Sequence, residues 1–278
     1  MNKKRRLKGD MERIRLAIVG SGALGSIIAR AIVKDLREDF ELVGILSGRY
    51  ENALKLADEV NTKAYRDLDE VLEERPDYII EAAGPAVVKE MGEKILAKGI
   101  NLIVLSVGAF ADESFYKAMA SLARENNCRV HLTSGAVGGF DVLSSAMLME
   151  EGRVQILTEK APKSLVGAPY LEGKELSEVE AVDVFTGTAK EAIEAFPKNI
   201  NVAVATALAS AGVDKTKVTI RSVPELKSNR HTIKFQGDRV RVAVQIESRP
   251  SADNPKSSTL AAWSVVSLLK RLVSPISF

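Results

Sequence analysis

The sequence predicts an α/β chain in two parts, a parallel sheet with helices on both faces and a smaller α+β part built on a mixed or antiparallel sheet. Three observations carry this. From residue 14 to about 134, short apolar runs alternate with amphipathic helical stretches at intervals of about 20–25 residues, the rhythm of strand–helix–strand units. After residue 137 the rhythm gives way to period-two alternation in KVTIRSVPEL, RHTIKFQGD and RVRVAVQIES. And 278 residues, 46% of them hydrophobic, suit two cores better than one.

Taken in order, IRLAIVG is a buried strand and 23–36 an amphipathic helix ending in charges. FELVGILS (40–47) is the second strand, and ENALKLADEV and DLDEVLEERP are helices. DYIIEAAG is a strand, and AVVKEMGEKILAKG a helix closed by Gly99. NLIVLSVGA, the helix DESFYKAMASLARENN begun by Asp112, and the strand RVHLTSGA complete the first pattern. Beyond it, GGFDVLSSAMLMEEG is helical, RVQILTEKA a strand, and EVEAVDVFTGTAKEAIEAFP a strand with a short helix. NINVAVATALASAG is a helix of small residues, and IKFQGDRVRV a hairpin turning at Gly237-Asp238. The last helix starts where Asn254 caps and Pro255 takes the first helical position. It is expected to return to the first domain. The boundaries are therefore a basic, flexible tail at 1–13, a first domain of 14–134 plus 254–278, and a second domain of 135–253.

A net charge of +2 gives no electrostatic reason for nucleic acid or a membrane surface as partner. The basic run NKKRRLK reads as a solvated tail. Apolar runs stop short of a membrane span, and a single cysteine, Cys128, allows neither an internal disulfide nor a cysteine-based metal site, so a cytoplasmic protein without a metal is expected.

Gly20-Ser21-Gly22-Ala23-Leu24-Gly25 fits G-x-G-x-x-G directly after a strand and at the opening of a helix. The first glycine permits the tight turn, the second lets backbone approach a pyrophosphate, and the third lets helix pack on strand. This predicts a Rossmann-type dinucleotide cradle. The second strand ends Ser47-Gly48-Arg49, without the carboxylate that would bond a ribose 2′-hydroxyl and repel a 2′-phosphate. Ser47 and Arg49 can hold that phosphate, so NADP is expected as cofactor, with NAD as the alternative. Ligands of such sheets bind beyond the carboxyl ends of strands. Small residues there, Ala83 in EAAGP and Ser106 in LSVGA, are candidate cofactor contacts, and SGAVGG is a second glycine-rich turn or hinge.

Of the two histidines, His131 lies inside a strand and reads as structural. His231 opens a strand among polar residues and is a candidate acid/base, its residue type having the right intrinsic pKa.

The stretches VGSGALGS, EAAGPAVVKE, LIVLSVGAFAD, HLTSGAVGGFD, FPKNINVAVATALA, NRHTIKF and PSADNPKSSTLAAWS, in order from about residue 16 to 268, resemble the L-aspartate dehydrogenase family. Its architecture is related to that of homoserine dehydrogenase and dihydrodipicolinate reductase. The resemblance implies an NAD(P)-dependent oxidation of L-aspartate to iminoaspartate, reversibly related to oxaloacetate and ammonia, with a role in NAD biosynthesis. It implies His231 as the catalytic residue and Ala136 and Asn201 as cofactor contacts. The family often carries Asp near the end of the second strand, where this chain has Ser47. Lys163, Lys256 and Ser257 are candidate ligands of the substrate carboxylates, and a homodimer is expected. The alternatives are a homoserine dehydrogenase- or dihydrodipicolinate reductase-type enzyme, which would usually show paired histidines near a lysine, and a non-catalytic NADP sensor.

Overall fold

The computed structural model describes residues 13–197, 200–249 and 258–276. They divide into two compact units. One holds the described chain up to Ser106, Ser114–Leu132, and the chain from Val265; the other holds Val107–Glu113 and Thr133–Ser264. The expected tail at 1–13, apart from Arg13, lies outside the described residues.

The first unit alternates strand and helix: β1 (Ile14–Val19), α1 (Ala23–Asp35), β2 (Phe40–Leu46), α2 (Tyr50–Val60), β3 (Lys63–Tyr65), α3 (Leu68–Glu73), β4 (Tyr78–Glu81), α4 (Pro85–Ala97), β5 (Asn101–Val104), α5 (Glu113–Glu125) and β6 (Val130–Leu132). All six strands are parallel, in the order β3-β2-β1-β4-β5-β6. The order reverses at β1, the switch point where doubly wound sheets receive dinucleotides. Helices on both faces bury the central strands completely, and Leu16, Ile18, Ile79, Ile80 and Ile103 are sealed in the core. β3 has no counterpart in the sequence reading, since three residues are too few for a periodic signal. It is held by Tyr65, whose ring lies against the Cα of Gly44 and whose hydroxyl donates to the Val43 carbonyl at 3.0 Å.

The second unit contains α6 (Phe140–Met149), β7 (Arg153–Lys160), α7 (Pro162–Leu165), β8 (Val182–Thr188), α8 (Ala189–Ala195), α9 (Asn201–Leu208), β9 (Lys217–Ser222), β10 (Asn229–Gln236) and β11 (Arg241–Ser248), with short 3-10 turns at Val107–Ala111 and Pro169–Leu171. Its sheet is mixed, ordered β11-β10-β7-β9-β8, with β7 and β9 parallel and the other neighbours antiparallel. Period-two alternation turns Val154, Ile156, Val218, Ile220, Ile233 and Phe235 to one buried face and leaves the other polar.

Two expectations need correction. The hairpin between β10 and β11 turns over four residues rather than at Gly237-Asp238: Gln236 pairs with Arg241, and the Gly237 N–H donates to the Val240 carbonyl at 3.0 Å. The Glu150 carboxylate accepts from the N–H groups of Asp238, Arg239 and Val240 at 3.1, 3.0 and 2.7 Å, which fixes the wider loop. The last helix, α10 (Leu260–Val273), starts well after Pro255; Ser258 and Thr259 precede it without helical structure. Asn254 and Pro255 lie outside the described residues. No helix of the described residues is long and apolar enough to cross a membrane.

Candidate active site

In the first unit the glycine motif forms the turn from β1 into α1. Gly20 has a φ of +117°, and a Cβ there would stand 2.6 Å from the backbone of Ala82. A Cβ on Gly25 would stand 1.9 Å from the Gly20 carbonyl oxygen. Both positions exclude any side chain. Gly22 differs, because a Cβ on it would meet nothing within 4 Å. The space over Gly22 is the space a diphosphate needs. Gly22 caps α1 without a side-chain hydrogen bond, and the first turn, which includes Ala23 and Leu24, carries no acidic residue. The amides and the positive end of the helix are thus left for an anion. These features fit a dinucleotide.

The Ser21 hydroxyl donates to Ser47 Oγ at 2.8 Å, tying the glycine turn to the end of β2. Arg49 is exposed at the N-cap of α2, with no carboxylate at Ser47, Gly48 or Arg49.

Glu81 organises the next strand ends, and the sequence reading passed it over. Its carboxylate is buried at the end of β4, with 2% exposure. It accepts from the N–H groups of Ala83 and Gly84 at 2.8 and 2.7 Å and from the N–H and hydroxyl of Ser106 at 3.0 and 2.8 Å. Ala83 and Ser106, named separately as cofactor contacts, are thereby locked to one another through a single side chain. In the same unit the His131 ring lies 5.9 Å from that of Tyr78, tilted by 46°, and burial pushes its pKa down. Burial likewise raises the pKa of the Cys128 thiol.

In the second unit His231 lies on the buried face of β10, opposite Thr158 on β7 and Ile246 on β11. It is 3% exposed, and its Nδ1 stands 3.1 Å from Thr158 Oγ1. Two residues beyond Thr158 on the same face comes Lys160, also buried. Burial lowers the lysine's pKa to about 8. Burial first, and the charge of Lys160 second, push His231 down to about 3. The imidazole is therefore neutral in the resting protein, with one ring nitrogen carrying a lone pair.

Sequence reasoning proposed Lys163 as a substrate ligand; it stands exposed on α7. The lysine that shares a face with His231 is Lys160. The signal for it was weak: Val154 and Ile156 set a period of two that reaches Thr158 and Lys160, but Leu157 on the opposite face breaks the pattern. Lys256 and Ser257 lie outside the described residues.

Ala136 is buried in the glycine-rich turn before α6, where Gly135 and Gly139 take φ of +64° and +74°. Asn201 opens α9, and its carboxamide oxygen accepts the Gly108 N–H at 3.0 Å. That bond fixes the orientation of the amide and leaves its NH₂ as the remaining donor. Among the described residues no group of three or more His, Cys, Asp or Glu could hold a metal ion.

The chain matches two family models. One, described as homoserine dehydrogenase, NAD binding domain, covers residues 20–133. The other, described as aspartate dehydrogenase, C-terminal, covers residues 141–272. It is 37% identical to the L-aspartate dehydrogenase of Methanosarcina mazei over 95% of this chain and 98% of that one. To the L-aspartate dehydrogenase of Methanococcus maripaludis it is 36% identical over the same shares of each chain. Among solved structures, the aspartate dehydrogenase of Thermotoga maritima superposes with a TM-score of 0.75 at 30% identity, covering 96% of this chain and all of that one. The match runs through both units and includes the glycine turn and the His231 strand, and on this ground the chain belongs to the L-aspartate dehydrogenase family.

Proposed function

We propose that the chain oxidises L-aspartate to iminoaspartate with NAD⁺ or NADP⁺. A hydride leaves Cα, the nitrogen loses a proton as C=N forms, and NAD(P)H and H⁺ are released. Water then converts iminoaspartate to oxaloacetate and ammonia. When bound, the dinucleotide supplies the hydride acceptor. The chain's own residues do the rest. Gly20, Gly22 and Gly25 shape the diphosphate turn, Ser47 and Arg49 receive a 2′-phosphate, Ala83, Ser106 and Ala136 give close backbone approach, and Asn201 offers its NH₂.

One observation carries the acid–base part: a neutral imidazole, buried and fixed through Nδ1. In the tautomer that donates Nδ1–H to Thr158 Oγ1, Nε2 keeps the lone pair that takes the proton from substrate nitrogen. The relatives' printed activity supports the choice of aspartate as the amino acid. The outer edge of β11, unpaired among the described residues, supports a homodimer, which sedimentation checks.

The test follows absorbance at 340 nm with oxaloacetate, ammonia and either NADH or NADPH. Oxidation of the reduced cofactor, faster with NADPH, is expected. Dinucleotide binding without turnover would sink the dehydrogenase reading and leave a sensor.

A further inference from the structure

The buried face of the second sheet is apolar along most of its length and polar at one end. Cross-strand pairing sets the polar residues in a row. Ser248 on β11 pairs with Asn229 on β10, and Lys160 on β7 pairs with Ser222 on β9. The β10–β7 ladder, in which Arg230 faces Glu159, places Asn229 beside Lys160. The row therefore reads Ser248, Asn229, Lys160, Ser222 across four strands, one step along the sheet from the row that holds His231 and Thr158. Asn229, Lys160 and Ser222 are each under a tenth exposed.

Two members are unsatisfied. Ser222 Oγ and Ser248 Oγ are both buried and have no hydrogen-bond partner. A buried hydroxyl left unpaired costs about 1–3 kcal/mol, so each one calls for a reason. Ser222 stands on the strand beside the buried Lys160, and Ser248 stands two strands from that lysine on the other side. Neighbouring strands lie about 4.8 Å apart, so one ligand can reach the Ser222 hydroxyl and the Lys160 side chain together but not Ser248, three strands from Ser222; beside an ammonium that ligand is an anion, and a carboxylate has about four lone-pair directions.

We infer that the Ser222–Lys160 pair, with Asn229 beside it, is an anion subsite that receives one carboxylate of the substrate. This rests on the dehydrogenase reading for the identity of that substrate. A strand rises about 3.3 Å per residue, so two residues separate this row from His231 by about 7 Å, which suits an amine held near the imidazole and a carboxylate held at the row. A carboxylate bound there also offsets the lysine charge that disfavours protonation of His231, so the imidazole becomes a better base once substrate is in place. Substrate binding and base strength are coupled through one side chain.

The probe is succinate, a dicarboxylate without an amine, titrated by calorimetry into the full chain. The expected result is a Kd about tenfold weaker or more in Lys160→Met and about threefold weaker or more in Ser222→Ala, with unchanged affinity for NADP. Ser222→Ala keeps or raises the melting temperature, because it removes an unpaired hydroxyl; a purely structural serine would leave succinate binding untouched. Wild-type affinity in Ser222→Ala, or no succinate binding by the wild type, overturns the subsite whatever Lys160→Met does. Succinate binding lost in the variants of a protein that does not turn over aspartate would retain the subsite and remove the dehydrogenase reading. If Lys160→Met narrows the preference for aspartate over alanine, the carboxylate held is the side-chain one; if the preference is unchanged, it is the α-carboxylate. Either result supports the subsite.

Discussion

His231 combines a buried position with a folded-state pKa of about 3, against an ordinary value of 6.5. The unfolded chain therefore takes up a proton that the native chain refuses. The sign follows: stability is full above about pH 6.5 and is lost as pH falls from there toward 3. Near pH 5 this one group is worth about 2 kcal/mol against folding. Urea unfolding of His231→Gln should show a shallower loss between pH 7 and 5 than the wild type. The same variant should lower kcat by about 10²–10⁴-fold with NADP affinity unchanged, as expected for a lost general base; unchanged turnover would remove His231 from the mechanism. At Arg49 the expectation concerns the cofactor alone. Arg49→Ala should raise the KM for NADP about tenfold and leave that for NAD unaltered, which steady-state kinetics with the two cofactors checks.

The glycine turn and the β4 end each behave as an element. Gly22→Ala adds a methyl into open space, so the melting temperature should hold, while dinucleotide affinity falls about tenfold because the methyl takes the diphosphate's place. Gly25→Ala drives its methyl into the Gly20 carbonyl, so the fold itself must shift, at about 2 kcal/mol or more. Melting curves paired with NADP titration separate the two. Glu81→Gln keeps the shape but replaces an acceptor oxygen with a donor facing N–H groups. We expect a loss of about 2–4 kcal/mol in urea unfolding and weaker NADP binding, since the ends of β4 and β5 lose their common anchor. These two elements also differ in how legible they were. The glycine turn was readable because its demands are local, six residues between a strand and a helix. The role of Glu81 was not, because it depends on Ser106, 25 residues away, and on a parallel pairing that no local pattern announces.

For the whole molecule, the alternation of strands and helices and the later period-two runs announced both sheets. The order within the second sheet was not readable, for β7 pairs with β9 and β10 across long intervening chain. Lys160 escaped notice for the same reason. A lysine at a strand end reads as solvated until the strands beside it are known. Binding to the native state should stabilise the molecule as a whole: at one hundred times its Kd, NADP should add about 2.7 kcal/mol to unfolding, read as a rise in Tm, and less in Gly22→Ala at the same concentration.

The first unit is not contiguous in sequence, since Val265, Val266 and Leu269 from α10 are sealed with it. During synthesis, then, the parallel sheet emerges first and is finished last. Until residue 269 has left the ribosome, the first unit lacks three of its buried apolar residues, while the intervening unit already has its whole sheet at Ser248. The dinucleotide-binding half is thus finished in sequence only after the second sheet has been made.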